Sequence, residues 1–343
     1  MAQAPITVGD TTISAGERRY VNLPLPHLYT HAQITMPVYV MHGRQEGPRL
    51  FISAAIHGDE INGVEIIRRL LDSSALKNLR GTLLAVPVVN VFGFLDKSRY
   101  LPDRRDLNRS FPGSEHGSLA SQVAYQFLNE IASRCTHGID LHTAAAGRTN
   151  MPQIRAHFGN DGELQAMAQA FNAPIVLSTG LRDGSLRKAA SERGVKVLLY
   201  EAGEALRFGE VSIQTGVKGI LSVMRHLGML PAQRKQAARV PSVVSHSSTW
   251  VRAPQSGILR VAAQIGNHVN KGDVLGYVAD PFGSREEMVR APLSGILIGR
   301  NTLPLVHEGE GIFHLAEING DQDSSSLKPY HHEMEPDTEG QAR

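Results

Sequence analysis

The chain is almost without cysteine: Cys135 is the single one in 343 residues. A lone thiol excludes an internal disulfide framework and suits a reducing compartment. Excess charge of one sign is lacking too. Lys and Arg number 35 against 33 Asp and Glu, a formal net charge of +2 with no long basic block, which argues against nucleic acid as a partner. No apolar run approaches the length that spans a bilayer, and the opening MAQAPITVGDTTISAGERRY lacks the apolar centre of a signal peptide. These absences predict a cytoplasmic protein with no membrane partner. What is present, 41% hydrophobic residues over a length that suits two domains, is enough for a sizeable core.

From about 48 to 230, strand-like apolar runs alternate with helical patterns. RLFISAAI (49–56) precedes a helix whose apolar face is Ile61, Val64, Ile67 and Leu71. GTLLAVPVVN (81–90), HGIDLH (137–142), PIVLST (174–179) and VKVLLYEAG (195–203) read as further strands. SLASQVAYQFLNEIAS (118–133) reads as a helix with Ser118 as N-cap, and VSIQTGVKGILSVMRHLG (211–228) as an amphipathic one. Near-continuous apolar strands between helices predict an α/β fold with a sheet covered on both faces, whose sites gather at strand C-terminal ends.

At 231–247 the texture turns polar, as in a linker. Beyond it R-A-P-x-S-G-I-L occurs twice, within 251–278 and again within 289–318, each time followed by short strands broken by Pro and Gly. Two related all-β halves predict a small symmetric sandwich or barrel. The expected division is a catalytic α/β domain at 1–235, a β domain at 245–318 and a disordered polar tail at 319–343.

His57 ends the first apolar run, Glu60 follows at the start of the helical pattern, and His142 ends GIDLH. Alone, each is most simply a hydrogen-bonded loop residue. Two histidines, a carboxylate and an open fourth position at strand ends of one sheet describe a catalytic zinc site. RYLPDRRDLNRSFPG (99–113) is a charged loop with apolar Leu107 and Phe111 to pin it to the core. LLYEAGE (198–204) puts Glu201 at the end of an apolar strand, where a carboxylate costs free energy unless it is paired or functional.

H-G-D-E with the following Gly63, D-L-N-R at 106–109, D-L-H at 140–142 and E-A-G at 201–203 together resemble the succinylglutamate desuccinylase/aspartoacylase family of carboxypeptidase-type zinc hydrolases. The motifs stand in that family's order. The resemblance implies a mixed, zinc carboxypeptidase-like sheet and one Zn2+ per chain on His57, Glu60 and His142. It implies Glu201 as catalytic carboxylate, Asn108 and Arg109 holding a substrate carboxylate, and Arg99 polarising the scissile carbonyl. Asp140 and Asp106 would support the ligands from behind. The reaction would be hydrolysis of a small N-acyl amino acid or related N-acyl amine. A carboxypeptidase-like peptidase trimming a peptide or glutamyl tail is an alternative, as is a non-catalytic binding protein on the same fold. The C-terminal repeat resembles a biotinyl/lipoyl-like barrel-sandwich module. Its central hairpin, ADPFGSREEMV, has no lysine for covalent attachment. That leaves packing beside the active site, or assembly of a homo-oligomer, as its expected role.

Overall fold

A computed structural model describes residues 3–232 and 241–318. The expected tail at 319–343 lies outside the described residues. The spine is a mixed sheet that runs from the edge strand Arg18–Leu25 through Ile34–His42, Thr82–Val86, Arg49–Ala54, His137–Ala144 and Lys196–Glu204 to Arg148–Ala156. The four strands from Thr82–Val86 to Lys196–Glu204 pair in parallel. Ile34–His42 and Arg148–Ala156 flank them antiparallel. The parallel strands are buried along nearly their whole length, because helices cover both faces and leave no solvated side to alternate with.

Side chains of one strand point to opposite faces, so Phe51 enters one core and Leu50, Ile52 and Ala54 enter the other. The first core is closed by the helices Leu119–Glu130, through Val123 and Phe127, and Leu186–Ser191. The second is closed by Asn62–Leu71, Gly162–Phe171 and Glu210–His226, through Ile66, Met167 and Val223. Ser118 caps its helix by accepting from the Ser121 N–H, as the sequence indicates.

The strand Arg148–Ala156 has no apolar signature in the sequence: it reads RTNMPQIRA, with Thr149, Asn150 and Gln153 polar yet buried. It is a strand because both its edges are paired, with Lys196–Glu204 on one side and with Ile175–Ser178 and Gly295–Asn301 on the other. Part of the expected linker is also structured. Val243–Ser245 pairs in parallel with Ile175–Ser178, which in turn pairs with Arg148–Ala156.

The two copies of the C-terminal repeat supply corresponding strands of two sheets. One runs Ser248–Arg252, Gly311–Glu317, Gly295–Asn301, with the short His268–Val269 on Gly295–Asn301. The other runs Glu286–Arg290, Val274–Ala279, Gly257–Val261, Leu305–Val306. Each strand of one copy occupies the place that its counterpart holds in the opposite sheet. Leu259, Leu275, Val278, Ile296, Ile298, Phe313 and Leu315 fill the space between them together with Met151, Ile175 and Leu177 from the spine. Gly295–Asn301 also pairs with Arg148–Ala156, Gly299 opposite Asn150, so one sheet continues from one region into the other. No helix among the described residues is long and apolar enough to cross a membrane.

Candidate active site

His57 lies three residues past Arg49–Ala54, and Glu60 two residues before Asn62–Leu71. Both therefore sit on the connecting turn, not on the strand and helix ends that the sequence suggested. The turn is nevertheless fixed. The Val89 and Asn90 N–H groups donate to the Ala54 and Ala55 carbonyls at 3.1 and 2.9 Å, and Leu206 N–H donates to the Asp59 carbonyl at 2.8 Å. The Asn62 side chain donates to the Ala202 carbonyl and accepts from Gly209 N–H, tying the helix start to the strand that carries Glu201.

Three ligand-type groups converge on this turn. His57 Nδ1 lies 2.7 Å from Glu60 Oε1, and His142 Nδ1, from the strand His137–Ala144, lies 2.7 Å from Glu60 Oε2. One potential ligand atom from each residue falls within 4.8 Å of the other two, and all three side chains are buried. The outer ring nitrogens are held as well. His57 Nε2 is 3.1 Å from Asp106 Oδ1, and His142 Nε2 is 2.8 Å from Asp140 Oδ2, whose other oxygen accepts from the Ser53 hydroxyl at 2.8 Å. Arg99 donates to Glu60 at 3.2 Å and to Asp106 at 3.0 Å.

Burial alone would raise the pKa of Glu60, but His57 and His142 outweigh it and hold the carboxyl well below its ordinary range. Burial likewise opposes ionisation of Asp106, and the His57 and Arg99 contacts override it downward. For the imidazoles burial works downward, and the carboxylates prevail: Glu60 chiefly for His57, Asp140 and Glu60 for His142, so both stand above the ordinary value. The centre thus demands positive charge. The donor set meets a divalent cation on those terms. Two imidazoles whose outer nitrogens are fixed by carboxylates, and a third carboxylate between them, suit zinc.

The remaining sequence-derived residues meet at the same cavity, of about 420 Å³. Arg99, Asn108, Arg109, Asp140 and Glu201 line it together with His57, Glu60 and His142, and Asp106 stands behind. Glu201 is the ladder neighbour of His142. Its Oε1 accepts from Asn150 Nδ2 at 2.9 Å, and its Oε2 lies 3.2 Å from the Arg155 guanidinium. Asn108 Oδ1 accepts from Leu186 N–H at 2.9 Å, which ties the 106–109 turn to the helix Leu186–Ser191. Arg109 donates to the Asn108 carbonyl at 2.5 Å.

Several lining residues escape the sequence reading. Arg155, Arg182 and Arg187 add positive charge, and among the described residues Arg109, Arg182 and Arg187 have no carboxylate at ion-pair distance. Burial, reinforced by Arg155, pushes Arg187 down to about 10. Ser248, Trp250 and His314 of the C-terminal β region form the opposite wall. His314 stacks on Trp250 with centroids 4.6 Å apart and planes within 6°, and its Nε2 is 3.0 Å from Ser248 Oγ. A histidine inside the apolar run GIFHLAE gives the same kind of signal as His142 in GIDLH, and it marks a residue of the cavity in both cases.

Residues 46–227 match the family model of the succinylglutamate desuccinylase/aspartoacylase catalytic domain. The N-alpha-acetyl-L-2,4-diaminobutyric acid deacetylase of Halomonas elongata is 27% identical over 297 residues, 83% of this chain and 86% of that protein. The product-bound ectoine utilization protein EutE (DoeB) of Ruegeria pomeroyi superposes with a TM-score of 0.80 at 25% identity, covering 92% of this chain and 98% of its own. A succinylglutamate desuccinylase/aspartoacylase of Rhodobacter sphaeroides shares the fold at 24% identity, with a TM-score of 0.78 over 88% of this chain and 96% of its own.

Proposed function

The chain belongs to the succinylglutamate desuccinylase/aspartoacylase family, and on that premise we propose that it is a zinc-dependent amidohydrolase cleaving a small N-acyl amino acid or related N-acyl amine. The observation that carries the reading is the meeting of His57, Glu60 and His142 with Glu201 at one cavity. One zinc per chain, held by His57, Glu60 and His142, would supply a Lewis acid for the amide carbonyl and acidify a water.

The chain's own groups do the rest. Glu201 takes a proton from the attacking water and delivers it to the leaving nitrogen as the C–N bond breaks, so that an acid and a free amine depart. Arg99 stands beside Glu60 and offsets the negative charge that builds on the carbonyl oxygen. Arg109 and Asn108 hold the substrate carboxylate, a task that suits a guanidinium fork. The positive charge left over on Arg182 and Arg187 favours substrates with acidic groups. Asp140 and Asp106 fix the ligand imidazoles from behind.

The proposal includes the division into a catalytic part, 1–235, and a biotinyl/lipoyl-like barrel-sandwich, 245–318. With no lysine in the hairpin 279–289, the second part serves as a wall of the cavity and not as a carrier. A cavity closed on that side by Trp250 and His314 favours a small substrate over a peptide.

Glu201→Gln tests the chemistry apart from folding. It keeps size and reach and removes the basic carboxylate. At matched zinc content kcat is expected to fall roughly 100- to 10,000-fold. A variant that keeps more than about a tenth of the native kcat removes Glu201 from the mechanism.

A further inference from the structure

Glu201 is useful as a proton carrier only if its carboxylate stays aimed at the cavity, and two contacts aim it. Arg155 holds one oxygen at 3.2 Å and Asn150 the other at 2.9 Å. An ionised carboxylate only accepts, so the Asn150 amide has to present its NH2 there. Its Oδ1 points away, is buried and has no hydrogen-bond partner among the described residues. No hydrogen bond from the described residues keeps that side of the amide in place.

Packing does. Gly299, in the strand Gly295–Asn301 of the C-terminal β region, is the ladder partner of Asn150. A methyl group at Gly299 would lie 2.3 Å from Asn150 Oδ1, with the Thr149 carbonyl oxygen next at 3.2 Å. The amide fills the space that any side chain at 299 would need. The ladders are irregular at both ends of this contact, between Glu201 and Gly203 and between Leu297 and Gly299. Such irregularities re-aim side chains out of the regular alternation.

We propose that Asn150, wedged between Gly299 and Glu201, is the positioning residue that holds the proton carrier on target. The C-terminal β region thereby completes the catalytic apparatus in addition to walling the cavity. The inference rests on the reading of Glu201 as proton carrier. Asn150 touches no reacting atom. Without it one oxygen of Glu201 loses its anchor, and the carboxylate turns about the Arg155 contact.

The test is a double-mutant cycle on the full chain, with whichever of the acetyl, succinyl and formyl amino acids the native protein hydrolyses fastest. kcat, KM, zinc content and Tm are measured for Asn150→Ala, Gly299→Ala, the double variant and Glu201→Gln. Asn150→Ala is expected to lower kcat about 10- to 100-fold, the scale for a misplaced reacting group, with KM and zinc content close to native. Gly299→Ala is expected to do the same, because the added methyl drives the amide off its position. The deciding arm is the double variant: with Asn150 shortened the 2.3 Å contact is gone and the Thr149 carbonyl at 3.2 Å is the remaining close neighbour, so Gly299→Ala costs little further activity there. Losses that multiply, native kcat in either single variant, or a Tm loss from Gly299→Ala that Asn150→Ala fails to relieve would overturn the positioning role. Glu201→Gln separates the two claims. If it leaves kcat intact, the reading of Glu201 falls and takes the inference with it. If it collapses kcat while Asn150→Ala does not, the positioning role alone falls.

Discussion

His314 stays neutral where an exposed histidine would titrate. Burial first, then the nearby Arg155 cation, push its pKa down from 6.5 to about 3. Between those values the unfolded chain binds a proton that the folded chain refuses, so stability falls as pH falls from about 6.5 toward 3. Each pH unit in that window is worth about 1.4 kcal/mol. Between pH 7 and pH 5 this residue is expected to remove about 2 kcal/mol from the unfolding free energy. His314→Phe keeps a flat ring against Trp250 and abolishes that share. Urea unfolding of both proteins at the two pH values checks it, and an equal pH dependence would contradict it. The sequence exposes His57, His142 and Glu201 because each ends an apolar run, where a polar group has to be justified. Asn150 and Arg155 give no such signal. They stand in a strand that mixes polar and apolar residues without a continuous apolar run, and only the fold shows that it is buried.

The helix Asn62–Leu71 rides unusually close to the sheet. A methyl group at Gly63 would lie 2.6 Å from the Ala54 Cβ and 2.8 Å from the Leu141 Cβ. This approach holds the preceding turn, and with it Glu60, down toward His142. Gly63→Val forces the helix outward at a cost of about 1–3 kcal/mol, and Glu60 moves with it. Lower Tm and weaker zinc binding in a chelator competition are expected together. Native values of both would show that the helix does not set the position of Glu60. At this scale the parallel strands and the helices Leu119–Glu130 and Glu210–His226 are legible, since strong apolar patterns specify them. The edge strand Arg18–Leu25, its neighbour Ile34–His42 and the helix Gly162–Phe171 are not among the elements read from the sequence. In Arg18–Leu25 the apolar positions alternate with exposed ones on one covered face, which leaves a much weaker pattern than a continuous apolar run.

For the whole molecule, the repeat announces two related β halves, yet nothing in it tells that their sheet joins the spine. That junction depends on Gly299 meeting Asn150, a contact between residues far apart in the chain. Because the C-terminal core also takes in Met151, Ile175 and Leu177, the two regions bury apolar surface in common. Unfolding is therefore expected in one transition, with coincident curves from the fluorescence of Trp250 in the β region and from far-UV circular dichroism. Two separated transitions would mean that the regions are stable independently. The claim on which the rest depends is that a zinc ion at His57, Glu60 and His142 drives amide hydrolysis. The most direct measurement strips the protein with a chelator and titrates zinc back while free amine is followed from acetyl, succinyl and formyl amino acids. Amine release that rises with zinc and levels off at one ion per chain is the expected result. A stripped protein that hydrolyses at the full rate, or a zinc-saturated one that frees no amine from any of these substrates, would contradict it.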